Sequence, residues 1–320
     1  MILLCGVPSE PPLKLAIEAA EAAGIDHLVI NQRHAHLWDL RLVSGGTGLG
    51  GTLVVAGTEH DLDAVAGVYH RMTAEDDLPE VTGYGRRAAD PHVAARVRAF
   101  HSLFGAWIEG TTCRVANRPS AGGSNLSKPY QAQLIAAAGL AVPDTLISND
   151  PRVVSRYLAV NDEVVFKSIS SVRSIVRKVD AGRVAQLERV RSLPTQFQRR
   201  VSGTDVRVHV VGEVVFATEI ASEAVDYRYA GRDGQDAGFR AVELPEAVVA
   251  ACLRLAAVLE LPFCGIDLRR TPEGSYVCFE VNPSPGYSYY QSLTGQPIAA
   301  ALVAWLAEGT AATAGGRPPS

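Results

Sequence analysis

The chain has 320 residues, enough for a sizeable core and two or three subdomains. Its 47% apolar and 20% charged content marks a folded globular chain, and a net charge of −4 gives no global field for nucleic acid. Five cysteines without CxxC spacing argue against a disulfide framework or a zinc site. No signal peptide or membrane-spanning window is present, so the expected location is the cytoplasm.

Residues 2–7 read as a short apolar strand, 12–23 as an Ala-rich helix ended by Gly24, and 27–30 as a second strand. Residues 53–56 and 65–69 add two more, which predicts a small, partly parallel α/β layer over residues 1–115. Gly46-x-Gly48-x-x-Gly51 matches a dinucleotide fingerprint as a string. It precedes a strand instead of opening a helix after one, and so reads as a hairpin loop. Asp90-Pro91 supplies an N-cap and a first-turn proline to a long helix towards Glu109.

A second unit begins near Asn117 with a Gly/Ser-rich loop over 117–126. Ser127 is expected to cap a helix through Ala138, stopped by Gly139. Residues 142–147 are extended, Asp150-Pro151 opens another helix, and 163–167 form a strand ending in Lys167. Ser168-Ile-Ser-Ser-Val-Arg-Ser174 then offers hydroxyls, backbone N–H groups and a guanidinium, the donors a triphosphate needs. From Lys167 to Arg200 there are nine Lys/Arg against two Asp/Glu, although a lone strand-end lysine is ordinarily an exposed residue. No P-loop sequence occurs.

The third unit contains a hairpin (205–211 and 214–220), a helix (245–260), a second hairpin and a closing helix (297–307). Residues 309–320 read as a disordered tail. Asp205 and Arg207 share a strand face opposite Val206, Val208 and Val210, either as a site or as a same-face salt bridge. Seven of the eight histidines precede residue 102 and show no ligand spacing, so structural or surface roles are expected.

The second hairpin carries the clearest chemistry. Thr271-Pro-Glu-Gly274 is a turn, and symmetric pairing about it sets Asp267 opposite Cys278 and Leu268 opposite Val277. One face is then Ile266, Leu268, Val277, Phe279 and Val281, while the other carries Asp267, Glu280 and Asn282. Three oxygen ligands beside an apolar face suggest Mg²⁺; ordinary exposed acids on a surface hairpin are the alternative.

Asp267-x-Leu, a short turn, then Phe279-Glu-Val-Asn-Pro-Ser-Pro-Gly286 resembles the metal-binding end of ATP-grasp ligases, especially RimK-type glutamate ligases. The resemblance covers residues 117–306 and implies an α/β fold of the α+β ATP-grasp kind. A small N-terminal α/β domain (1–115) would precede two ATP-grasp subdomains (116–200 and 201–308) that clasp the nucleotide. ATP and Mg²⁺ follow as cofactors, with Mn²⁺ as a substitute. Lys128 resembles an early nucleotide-contacting lysine, and Lys167 the lysine at the α-phosphate. Ser170, Ser171, Arg173 and Ser174 resemble the lid over the phosphates. Residues 194–201 resemble the inter-subdomain hinge, with Gln198 in it and backbone groups at Arg200 and Val201 reading the adenine edge. Asp205 would meet the ribose or a basic partner, and Arg207 the γ-phosphate or acyl phosphate. Asp226-Tyr-Arg228 resembles an element that contacts a substrate carboxylate, which pairs Arg228 with Arg207 in catalysis. Asp267, Glu280 and Asn282 would be the metal ligands.

The implied activity is carboxylate–amine ligation through an acyl phosphate, releasing ADP and phosphate, on a small-molecule or peptide substrate. Residues 239–245 and 287–298 look more like enzymes that cross-link ribosomal peptides through side-chain esters or amides. Those enzymes carry an acidic residue near Gln291. A macrocyclase and a catalytically silent nucleotide sensor are therefore the alternatives. A homo-oligomer is compatible with the sequence, and RNA binding ranks well below because the basic run lacks interleaved aromatics.

Overall fold

The computed structural model describes residues 1–45, 48–85, 87–168, 177–180, 186–221 and 238–309. Ser170, Ser171, Arg173, Ser174, Arg228 and the tail beyond residue 309 lie outside the described residues, as does Gly46 of the glycine string.

The first layer contains β1 (Ile2–Gly6), α1 (Pro11–Ala22), β2 (His27–Asn31), β3 (Asp39–Gly45), β4 (Gly48–Val55), β5 (Thr58–Asp61) and β6 (Gly67–His70). It continues through α2 (Pro79–Thr82), α3 (Pro91–Gly110) and β7 (Arg114–Ala116). A parallel sheet runs in the order β2-β1-β6-β7. Alternate residues of β1 enter different cores. Ile2 and Leu4 meet Leu13 and Ala16 of α1, while Leu3 and Cys5 meet Phe104 and Trp107 of α3. Burial on both faces is why β1 reads as an uninterrupted apolar run. The separate antiparallel meander β3-β4-β5 was legible only at residues 53–56, because β3 is largely exposed. The described glycines of the string lie on β4 of this meander, with no helix start.

Asp90 caps α3 as expected, its Oδ1 accepting from His92 N at 2.8 Å. Replacing Asp90 by alanine should cost about 1 kcal/mol and lower Tm by about 2–3 °C in a thermal melt.

The middle of the chain holds α4 (Lys128–Ala137), β8 (Thr145–Ser148), α5 (Pro151–Ala159), β9 (Val164–Ser168), β10 (Arg177–Lys178) and β11 (Thr195–Arg199). An antiparallel sheet of order β10-β9-β11-β8 packs on α5 around Val154, Val164 and Phe197. The expected Ser127 cap is not formed by its side chain. Pro129 occupies the second helical position and has no N–H for a capping oxygen to accept. Residues Pro119–Leu126 wind into 3₁₀ turns instead of an open loop. Helix α4 packs away from this sheet, sending Ile135 into the core of the last unit.

The last unit comprises β12 (Thr204–Val211), β13 (Val214–Ala221), β14 (Gly238–Val242), α6 (Glu246–Val258), β15 (Phe263–Arg270), β16 (Tyr276–Asn282), α7 (Ser288–Thr294) and α8 (Ile298–Ala307). Its antiparallel sheet has the order β14-β13-β12-β15-β16. One face buries Val206, Val208, Val210, Ile266 and Leu268 against Cys252 and Leu255 of α6. Each such fully buried aliphatic side chain stabilises by about 2 kcal/mol. Leu302, Val303 and Leu306 of α8 share a core with Ile2, Leu4, Val211 and Phe263, joining the first layer to this sheet. All five cysteines are buried, and burial pushes Cys252 and Cys264 up to about 12, as inert thiols.

The hairpin register differs from symmetric pairing. Gly274 adopts φ +86 and donates to Thr271 O at 2.9 Å, while Thr271 N donates to Ser275 O at 2.8 Å. A left-handed residue after the turn lengthens it by one, so Arg270 pairs with Tyr276 and Leu268 with Cys278. An irregularity between Asp267 and Leu268 then sets Asp267 opposite Glu280. Cys278 and Val281 therefore face the core with Ile266 and Leu268, and Val277 and Phe279 do not. The shift makes Asp267 and Glu280 direct cross-strand partners.

Candidate active site

Three strands of the last sheet contribute to one polar face. Along β12 the residues opposite the valines are Asp205, Arg207 and His209, and the register pairs Asp205 with Arg269 and Arg207 with Asp267. Arg207, Asp267 and Glu280 thus form a single cross-strand row. Arg207 Nη1 lies 2.6 Å from Asp267 Oδ1, and Lys128 Nζ reaches Glu280 Oε2 at 3.1 Å from the start of α4. Asn282 Nδ2 stands 3.5 Å from Asp267 Oδ2. One step along the strands, Arg269 Nε and Nη2 meet Asp205 Oδ1 at 2.8 and 2.6 Å. Asp205 and Arg207 thus each enter a cross-strand ion pair, with Arg269 and Asp267.

Arg207 is 6% exposed. Gly265 has no side chain beneath its guanidinium, where any Cβ would collide with Nη2 and Cζ. Tyr290 stands 5.8 Å from Arg207 Cζ, and His209 Nε2 lies 3.5 Å from Arg207 Nε. Burial, and then the Arg207 charge, holds the His209 imidazole well below its ordinary pKa, so it is neutral at pH 7. His209, Tyr290 and Gly265 carried no sequence signal beyond strand alternation for His209.

The other expected residues are more dispersed. Lys167 is 7% exposed on β9, unlike an ordinary strand-end lysine, which would be exposed. Its strand partner is Gln196. Gln198 is buried and donates from Nε2 to Thr145 Oγ1 at 3.0 Å. Arg200 N donates to Glu163 O at 2.8 Å, and its guanidinium pairs with Glu163 Oε2 at 2.8 Å. Val201 O accepts from Arg269 Nη1 at 2.8 Å, which ties the chain just after β11 to the polar face. From the first layer, Arg71 grips Glu10 through Nε and Nη2 at 2.9 and 2.7 Å and reaches Ser284 Oγ at 3.0 Å. That contact fastens the Pro-Ser-Pro-Gly segment beside Asn282.

Asp267 and Glu280 are cross-strand partners, the Asn282 amide lies beside Asp267, and the carboxylate side chains are only 24% and 20% exposed. Two carboxylates and an amide suit Mg²⁺. No group of three or more His, Cys, Asp or Glu fit for a metal occurs among the described residues.

The RimK-like ATP-grasp domain matches residues 127–306, more than half of the chain. The chain belongs to the RimK-like ATP-grasp family. This RimK-like protein is 29% identical over 185 residues to the ribosomal protein bS6–L-glutamate ligase of Salmonella paratyphi B, covering 54% of this chain. It spans 61% of the length of that relative. Among solved structures, the ATP-grasp ligase PsnB complexed with minimal precursor superposes at TM-score 0.76 and 26% identity, over 95% of this chain and 97% of that one. The macrocyclase MdnC from Microcystis aeruginosa, bound with precursor peptide MdnA, shares the fold at TM-score 0.75 and 22% identity, over 95% and 98%. The ATP-grasp fold expected from the hairpin motif is therefore found, and the family is one of ligases. No helix among the described residues is long and apolar enough to cross a membrane.

Proposed function

We propose that this chain is an ATP- and Mg²⁺-dependent carboxylate–amine ligase that forms a peptide or isopeptide bond and releases ADP and phosphate. The observation that carries this reading is the row Arg207–Asp267–Glu280–Lys128, two opposed carboxylates each held against a cation. Asp267, Glu280 and Asn282 would hold Mg²⁺ or Mn²⁺, which supplies neutralisation of phosphate charge when bound. Lys128 and Lys167 would bind phosphate oxygens, and Arg207 would stabilise charge on the transferred phosphoryl group. The substrate carboxylate attacks the γ-phosphorus, ADP leaves, and an amine displaces phosphate from the acyl phosphate. Anion attacking anion needs positioned partners, and water must be kept out. Ser170, Ser171, Arg173 and Ser174 are assigned that closing role, Gln198, Arg200 and Val201 the adenine, Asp205 the ribose, and Arg228 the substrate carboxylate. The subdomain limits 1–115, 116–200 and 201–308 belong to the same reading.

The substrate class we propose is a peptide. PsnB, whose likeness runs along nearly the whole chain, was solved with its precursor, Mg and ADP. A macrocyclase is the second reading. Gln291 Oε1 accepts from Ala299 N at 2.8 Å, a role at the start of α8 that an acidic side chain could also fill. The departure at Gln291 is thus compatible with peptide cross-linking.

Incubation with ATP, Mg²⁺, hydroxylamine and Asp/Glu-rich peptides should yield ADP and a peptide hydroxamate. Hydroxamate only from pooled acidic amino acids would move the substrate to small molecules. Release of AMP would overturn the mechanism, and ATP binding without ADP from any pool would favour the nucleotide sensor.

A further inference from the structure

We propose that Gln131, with Asn117, positions the end of β16 that carries Glu280 and Asn282, and that the metal affinity of the site depends on this grip. The proposal rests on the metal reading given above.

Strand β16 is the edge of its sheet among the described residues, and Ala141, which accepts from Cys278 N at 2.8 Å, covers only the first part of its outer side. At Val281 that edge is closed by a side chain. Gln131 Nε2 donates to Val281 O at 2.9 Å, and Val281 N donates to Gln131 Oε1 at 2.9 Å. The carboxamide reproduces both bonds of a strand neighbour, and Gln131 is only 2% exposed. Val281 points into the core, so the pinned peptide unit lies between the two side chains that face the site. The same helix carries Lys128, which pairs with Glu280. One rigid element thus sets both the backbone and the counter-ion of that carboxylate.

Asn117 performs the matching task on the other side. Its Nδ2 donates to Phe263 O at 2.5 Å and to Pro283 O at 2.6 Å, and its Oδ1 accepts from Phe263 N at 3.2 Å. Residues 281 and 283, which flank Asn282, are therefore each held by a buried amide. Only a carboxamide offers a donor and an acceptor at this spacing; a carboxylate would set an oxygen against a carbonyl oxygen.

The test compares ADP binding by calorimetry in Mg²⁺ and in EDTA for wild type, Gln131→Met, Gln131→Glu and Glu280→Ala. Methionine keeps helix propensity and volume while removing both bonds. Gln131→Met should bind ADP in EDTA as wild type does, yet lose about tenfold or more of the Mg²⁺-dependent gain in affinity. Gln131→Glu should behave like Gln131→Met. An unchanged Mg²⁺ gain in Gln131→Met overturns the proposal. Equal loss with and without Mg²⁺ also overturns it, because the role would then be merely structural. Retention of the Mg²⁺ gain in Glu280→Ala would instead remove the metal reading itself.

Discussion

Replacing Glu280 by glutamine should lower ADP formation by at least about 10³-fold, a rise of about 4 kcal/mol in the barrier, in a protein that still folds. The substitution keeps the shape of the side chain and leaves an oxygen for Lys128, 3.1 Å away in the native pair. It removes one of two negative charges that face each other across β15 and β16. The backbone beneath is held by Val281 in the core and by Gln131, so the loss of charge should not move the strand. Breaking a mostly buried pair should cost about 1–2 kcal/mol of stability, read as a lower Tm. Glu219 provides the control. It sits on β13 of the same sheet, bridged by Arg240 and Arg270 at 2.6 and 2.5 Å, outside the row. Glu219→Gln should leave turnover within about threefold. Near-native turnover in Glu280→Gln would remove Glu280 from the chemistry.

The hairpin motif was legible because its information is local. Alternation separates Asp267, Glu280 and Asn282 from Ile266 and Val281 within one short stretch, and Val206 and Val208 from Arg207 in another. Register was less legible. The left-handed Gly274 and the irregularity beside Asp267 each move the pairing, and neither changes the apolar pattern enough to be read from it. The packing around the motif was not legible at all. Gln131 and Val281 are 150 residues apart, Asn117 and Phe263 146, and a polar residue inside an Ala-rich helix reads as a surface position until its partner is known. Ser127 shows the converse failure: an ordinary capping signal whose side chain makes no cap, with Pro129 removing one of the two N–H groups it could accept from. Lys167 was found for its position at the end of a strand, yet its burial follows from sheet pairing that sequence does not display.

Gly265 offers the second large effect, through a residue with no chemistry of its own. Its Cβ position is filled by the Arg207 guanidinium, so alanine there must displace Nη2 and Cζ. An exposed arginine would yield at little expense. This one is enclosed by Asp267 at 2.6 Å, His209 at 3.5 Å and the Tyr290 ring at 5.8 Å. Gly265→Ala should therefore cost about 1–3 kcal/mol of stability and, on the proposed mechanism, reduce turnover about 10²-fold, because the group assigned to the transferred phosphoryl is moved from its place. A double-mutant cycle with Arg207→Lys separates this cause from a general disturbance of β15. Lysine lacks the fork that fills the space over Gly265, and it cannot reproduce the planar contact with Asp267. Arg207→Lys alone should lose turnover by a similar factor. If crowding is the mechanism, the alanine adds little to the lysine variant, and the combined stability loss falls clearly short of the sum. Strict additivity would mean that Gly265 acts on the strand and not on Arg207, and the packing account of the arginine would have to be abandoned.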